Sequence, residues 1–286
     1  MKLRYLRVYP MYFAGGTGNT GDGIRMAQEV GADLWHMNCV SARLCAKFPD
    51  FPMGVFIDFS GGGWSQRSMK TEKEKAPAGF IIVDKYGRRY MTEELKPHTA
   101  SYECGWFDSY KLEYPRVPSY HIFDRRRMEY GPLAQLSSGP TGPHLLYKWS
   151  RDNMVELRKG WIVKGETIAE LAANLNMPPE NLADTIDTWN RHCQAGSDSE
   201  FARNPLELVP LDEPPYFAIG LFPGGSIRWA ARGGTAGQRC SIRSASLFPA
   251  CMPPASAVRY LVCCILRAAA TWRNASPSAA SLRRMP

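Results

Sequence analysis

The chain has 286 residues, 44% of them hydrophobic, and a formal net charge of +8. That is enough apolar material for one or two domains with a real core. The charge is unevenly placed: residues 226–286 carry nine arginines and no Lys, Asp or Glu, and residues 1–225 sum to −1, so the basic balance does not describe a nucleic-acid-binding surface.

Other classes are excluded by pattern. Arg7 interrupts the apolar run near the start, so no signal-peptide core forms. No apolar stretch approaches the roughly 20 residues that cross a bilayer. Eight cysteines occur without a CxxC pair, so no metal site is expected. Cys39, Cys45, Cys104 and Cys193 read as reduced thiols of a cytoplasmic protein. No nucleic acid and no membrane are expected as partners.

In chain order, the first informative stretch is GNTGDGIRMAQEVGADLWHM, residues 18–37. A glycine-rich turn runs into a helix that Asp22 can cap and Gly31 can end. Glycines before a helix start can bring backbone N–H groups close to a phosphate or a flavin. A capped helix start explains the same residues without a ligand.

AGFIIVDKYGRRYMTEE, residues 78–94, reads as a hairpin. Residues 80–83 form a buried strand, Lys85-Tyr86-Gly87 the turn and residues 89–91 the return strand. A short strand is expected over residues 120–123. Ile168, Leu171, Ala172 and Leu175 then fall on one helical face, which Pro178 and Pro179 close off. A second helix carries Leu182, Ile186, Trp189 and Asn190 on one side and ends before Gly196. EPPYFAIGLFPGG, residues 213–225, reads as a buried strand leading into a glycine turn. One hydrophobic core is expected, holding Phe80, Ile82, Ile122, Leu171, Leu182, Ile186 and Trp189.

Together these stretches resemble the FAD-dependent oxidoreductase family of fumarate reductase flavoprotein subunits and 3-ketosteroid dehydrogenases. NTGDGIRMAQEVGADLW is similar to the family's TGDG helix, and GFIIVDKYGRRYMTEE to its hairpin ending in G-x-R-F-x-N-E. The two helices resemble the end of its substrate-covering cap, and PPYFAIGLFPGG the strand returning to the flavin domain. The four occur in family order over residues 5–225. The resemblance implies FAD as cofactor and hydride transfer between the flavin and a small organic or steroid-like substrate.

Two departures accompany it. The family's opening strand and GxGxxG turn have no counterpart upstream of residue 18, so the expectation is a chain truncated at its N-terminus. The closing motifs are absent from the tail as written. Back-translated and read from the third codon base, residues 251–256 permit Y-A-A-G-E, and Cys263-Cys264 forces a Leu. Residues beyond permit the family's closing G-G-G-N-L-A-E. The expectation is a reading frame that slips near Gly225 or Ser226, leaving residues 226–286 as an aberrant, disordered tail.

The expected fold class is therefore α/β with an α+β insertion. Residues 1–53 would be a remnant of the FAD-binding domain, 54–212 the cap or substrate domain, 213–225 the return strand and 226–286 the frameshift-derived tail. Thr20, Gly21, Asp22 and Gly23 are the cofactor-side candidates. Glu93 and His98 are the substrate-side candidates, although Arg88, Arg89 and Glu93 also read as surface charges on the hairpin. The resemblance places a proton-donating Arg of fumarate reductases where Pro97 stands, which argues against dicarboxylate reduction. Tyr12, Trp64, Tyr90 and Tyr120 can line a flat apolar pocket or simply fill the core. The partner is a small-molecule substrate. No residue is assigned to catalysis, and the electron acceptor stays open. The alternative is a non-catalytic gene fragment that binds no flavin.

Overall fold

The computed structural model describes residues 6, 8–14, 21–29, 40–59, 76, 78–93, 100–134 and 147–228. Thr20, Trp64, Pro97, His98 and the whole of residues 229–286, including the expected disordered tail, lie outside the described residues. Two units are distinguished, Met1–Gly16 with Val40–Arg228, and Thr17–Cys39 with Trp229–Pro286. The second unit is described only over residues 21–29, which hold helix α1, Asp22–Glu29.

The first unit is organised by one long strand. Strands β1 (Tyr12–Phe13), β2 (Val40–Lys47), β3 (Gly54–Val55), β4 (Phe80–Val83), β5 (Ser119–Asp124) and β6 (Val163–Gly165) precede β7 (Tyr216–Arg228). The sheet runs β3-β2-β7-β5-β4, and β1 and β6 also pair with β7. Every pairing is antiparallel except β1 with β7. One edge of β7 takes β6 and then β2, the other takes β5 and then β1. The expected domain boundary at residues 53–54 falls inside this sheet, because β3 pairs with β2.

The two faces of the sheet carry two cores, where the sequence reading expects one. Side chains alternate along a strand, so Phe80 and Ile82 of β4 point to one core while Ile81 and Val83 point to the other. The first core joins them to Phe123, Phe217, Ile219, Leu221, Trp149 and Trp161. The second holds Ile122, Leu171, Leu182, Ile186 and Trp189. A four-residue strand apolar at every position is the mark of burial on both faces.

Helices α5 (Ile168–Asn174) and α6 (Pro179–Ala195) cover the second face. Thr167 caps α5 by accepting from Glu170 N at 3.1 Å, and the Glu170 carboxylate reaches back to Glu166 N at 2.9 Å, a variant of the capping box. Pro179 opens α6, and Gly196 closes it at φ +69°, a conformation in which glycine lacks the penalty of a Cβ. Short helices α2 (Ala100–Cys104), α3 (Arg125–Tyr130) and α4 (Met154–Arg158) complete the unit.

Two local expectations change. The hairpin return strand is reduced to a single bridge, Val83 to Arg89, and the full partner of β4 is β5. The glycine turn expected at residues 224–225 is continuous strand with a register shift against β2 just after it: Gly224 and Gly225 pair with β1 and β2, and Ser101 of α2 both donates to Gly224 O (2.7 Å) and accepts from Gly224 N (2.9 Å).

Candidate functional site

The cofactor-side candidates are partly described. Gly21 has φ +87°, a conformation an L side chain rarely takes. Its carbonyl accepts from Ile24 N at 3.0 Å and Arg25 N at 3.1 Å, which starts the helix. Asp22 is therefore the first helical residue and not the residue before it. Its Oδ1 lies 3.0 Å from Arg25 Nη2, and both side chains are exposed. A carboxylate at a helix start repels a phosphate that the helix dipole would otherwise attract. It accepts hydrogen bonds from hydroxyls instead. Arg25 offsets that charge, and the carboxylate keeps the capacity to accept from a hydroxyl.

The turn after β4 delivers the first substrate-side candidate. Asp84 Oδ1 accepts from Tyr86 N and Arg88 N at 2.9 and 3.0 Å, and Gly87 takes φ +81° beside the first turn of α6. Asn181 and Thr185 of α6 donate to the carbonyls of Tyr86 and Gly87. With the turn fixed, Arg89 points inward. Its side chain is 2% exposed, and that of Glu93 is 0% exposed, so the surface-pair reading of Arg89 and Glu93 is corrected.

Arg89 grips Glu93 with two bonds, Nε to Oε1 at 2.8 Å and Nη2 to Oε2 at 2.7 Å. It grips Asp198 with two more, at 2.8 and 3.3 Å, and Glu200 with one at 3.2 Å. Arg203 joins from the other side: its Nη1 donates to Phe80 O at 2.7 Å and lies 3.5 Å from Glu93 Oε2. Both guanidinium groups lie 4.9 Å from the centre of the Trp189 ring, a favourable placement over an aromatic. Glu93 Oε1 also accepts from Ile82 N at 3.3 Å. Burial pushes the Asp198 carboxyl up, but hydrogen bonding and charge from Arg89 outweigh it and hold the pKa at about 2. Glu93 thus joins the β4 turn, through Arg89, to the segment after α6.

Ligand atoms of His192, Asp198 and Glu200 lie within 4.8 Å of one another. Asp198 Oδ1 already accepts from Arg89 Nη1, Glu200 N and Phe201 N. Arg89 supplies the positive charge there, so the cluster is an ion-pair node.

The aromatic candidates do not converge. Tyr90 packs on the first core and its hydroxyl meets Ser119 Oγ at 2.7 Å. Tyr120 packs on the second core, across the sheet. Tyr12 makes an edge contact with Phe222 at 5.3 Å.

The sequence reading missed His121. It is fully buried, boxed by Phe59 (4.9 Å), Phe80 (5.2 Å) and Phe123 (4.7 Å). Among the described residues neither ring nitrogen has a hydrogen-bond partner. Burial, with the charges of Arg127 and Arg203, pushes its pKa well below the ordinary 6.5, so the ring is neutral. Arg127 is itself buried, donating to the carbonyls of Asp58, Phe59, Gly131 and Pro132, and burial lowers it to about 10. Strand alternation was the available signal: His121 shares the face of Phe123.

No family model matches the chain. A 3-oxosteroid 1-dehydrogenase of Mycolicibacterium smegmatis is 27% identical over 258 residues, 82% of this chain and 41% of its own length. A vinyl phenol reductase of Lactiplantibacillus plantarum is 33% identical over 211 residues, 72% of this chain and 40% of its own length. The crystal structure of a 3-ketosteroid delta1-dehydrogenase from Sterolibacterium denitrificans, in complex with 1,4-androstadiene-3,17-dione, matches 81% of this chain and 40% of its own at a TM-score of 0.58 and 19% identity. A flavocytochrome c3 fumarate reductase, in its open conformation, matches 78% of this chain and 32% of its own at a TM-score of 0.50 and 23% identity. Its relatives include 3-ketosteroid dehydrogenases and a fumarate reductase, members of the family that the sequence motifs resemble. It spans about two fifths of the length of the curated flavoprotein relatives above. The structural likenesses, both below 25% identity, speak for the shared fold. Among the described residues no helix is long and apolar enough to cross a membrane.

Proposed function

We propose that the chain supplies the substrate cap and one cofactor-side helix of an FAD-dependent oxidoreductase. That enzyme moves a hydride between the flavin and a small organic or steroid-like substrate. The observation that carries this reading is 27% identity to a 3-oxosteroid 1-dehydrogenase over 82% of the chain. In the reading, residues 54–212 are the cap and β7 returns the chain to the flavin side. Thr20, Gly21, Asp22 and Gly23 lie beside the cofactor, with Asp22 accepting from its hydroxyls. Bound flavin would supply the redox chemistry, while the chain orients the substrate and keeps water from it. Glu93 acts as a positioning residue, and His98 is the second substrate-side candidate.

The test is a chimera that carries residues 5–225 of this chain between the flanking segments of the vinyl phenol reductase. It should purify yellow with stoichiometric flavin and pass electrons between a dye and an enone or 3-ketosteroid. The 286-residue chain by itself should purify with far less than one flavin. A colourless, well-folded chimera overturns the reading. Stoichiometric flavin on the chain alone overturns the assignment of cofactor binding to segments outside it.

A further inference from the structure

The loop after α2 departs from the usual surface. Trp106, Phe107, Tyr110 and Leu112 are all exposed, Tyr110 at 94% and Leu112 at 76%. Yet the loop is braced at every side. Asp108 N donates to Glu113 O at 2.8 Å and Glu113 N to Asp108 O at 3.2 Å, closing its neck. Asp108 Oδ1 accepts from Tyr110 N and Lys111 N at 2.9 and 3.1 Å. Phe107 packs on Tyr114 at 5.0 Å, and Trp106 lies under the Arg116 guanidinium at 5.0 Å. Leu112 is held at φ +55°, a left-handed backbone that is strained for a leucine. A strained backbone that turns an apolar side chain outward points to use at a surface.

We propose that residues 106–113 form an interfacial anchor that seats Tyr110 and Leu112 in the headgroup region of a phospholipid bilayer. Three observations select this occupant. First, the exposed residue types are those that settle at the membrane interface. Second, the amides of residues 108, 110, 111 and 113 already have partners within the loop, so a poorly solvated interface leaves them satisfied. Third, the carboxylates are occupied: Glu113 by Lys85 and the Tyr86 hydroxyl, Glu103 by Arg116, and Asp108 by amides. Lys111 has no ion pair among the described residues and lies over the Tyr86 ring at 4.6 Å, free to meet a lipid phosphate. A protein partner fits less well, because four partly exposed side chains offer a few hundred Å2, below the roughly 800 Å2 a side of a standard interface. Hydropathy argues only against a span; lying on a membrane is a separate matter.

The test is sedimentation of the full chain with vesicles of phosphatidylcholine alone, where the basic residues 226–286 gain no anionic attraction. The chain should pellet with the vesicles. Tyr110→Ser with Leu112→Asn should lower the partition coefficient at least about tenfold, and Asn keeps the left-handed backbone at 112. Near-UV circular dichroism should confirm that the double variant stays folded. Adding about 30% phosphatidylglycerol should strengthen both proteins. A wild-type chain that stays in the supernatant with phosphatidylcholine overturns the proposal, as does a double variant that binds equally well. Self-association without lipid that the double variant abolishes overturns it in favour of a contact between copies of the chain.

Discussion

Arg89 Nη2 stands 2.8 Å from Asp198 Oδ2, joining the end of the β4 turn to the segment after α6 across 109 positions of sequence. Both side chains are essentially inaccessible to water. The bond helps fix where α6 lies on the sheet, because the ring of Trp189 on that helix packs against the guanidinium groups of both Arg89 and Arg203.

Removing Asp198 takes two charge-assisted bonds from Arg89 but leaves it paired with Glu93 and Glu200. Asp198→Asn should cost about 1.5–3 kcal/mol. Arg89→Lys should also destabilise, since a single ammonium cannot hold Glu93 and Asp198 in paired bonds at once. Urea unfolding measures both. Unchanged midpoints would mean the network is dispensable.

Asp198 also sets an acid limit. Its folded pKa of about 2 lies below the ordinary 3.8, so the unfolded chain takes up the proton first. The stabilisation is complete above about pH 4 and is lost as the pH falls towards 2. The slope of thermal midpoint against pH in that window should flatten in Asp198→Asn.

Much of this was legible in part. The spacing of Leu182, Ile186 and Trp189, bounded by Pro179 and Gly196, marks α6 because helix period and end signals are local. The partner of β4 is not, since β5 lies 36 positions beyond Val83. Arg89 and Glu93 read as a surface pair because four positions on a chain reveal nothing of Asp198. Gly224 and Gly225 suggested a turn, but both pair within the sheet, and Ser101 bonds the backbone of Gly224 directly.

His121 predicts a second pH dependence with the same direction. Its folded pKa is depressed below 6.5, so protons bind the unfolded chain preferentially and stability falls as the pH drops below about 6.5. His121→Phe should remove that decline while fitting the aromatic box. Thermal midpoints between pH 5 and pH 7.5, estimated to bracket an ordinary histidine, decide it: parallel curves for the two proteins would show that His121 does not titrate on unfolding.

Leu182 is wholly buried where α6 meets the Gly87 turn and the second core. Leu182→Ala should cost about 2–5 kcal/mol. A urea midpoint that barely moves would mean the site collapses around the smaller side chain.

Strand β7 is the last described element, yet β1, β2, β5 and β6 all pair with it. During synthesis these four strands therefore wait with open edges until residue 228 has left the ribosome. Contacts of such long sequence separation form slowly, and exposed strand edges invite association with other chains. The nascent protein's need for chaperones should therefore be greatest just before Tyr216 emerges, and a ribosome stalled there would present an incomplete sheet whatever the quality of the two cores.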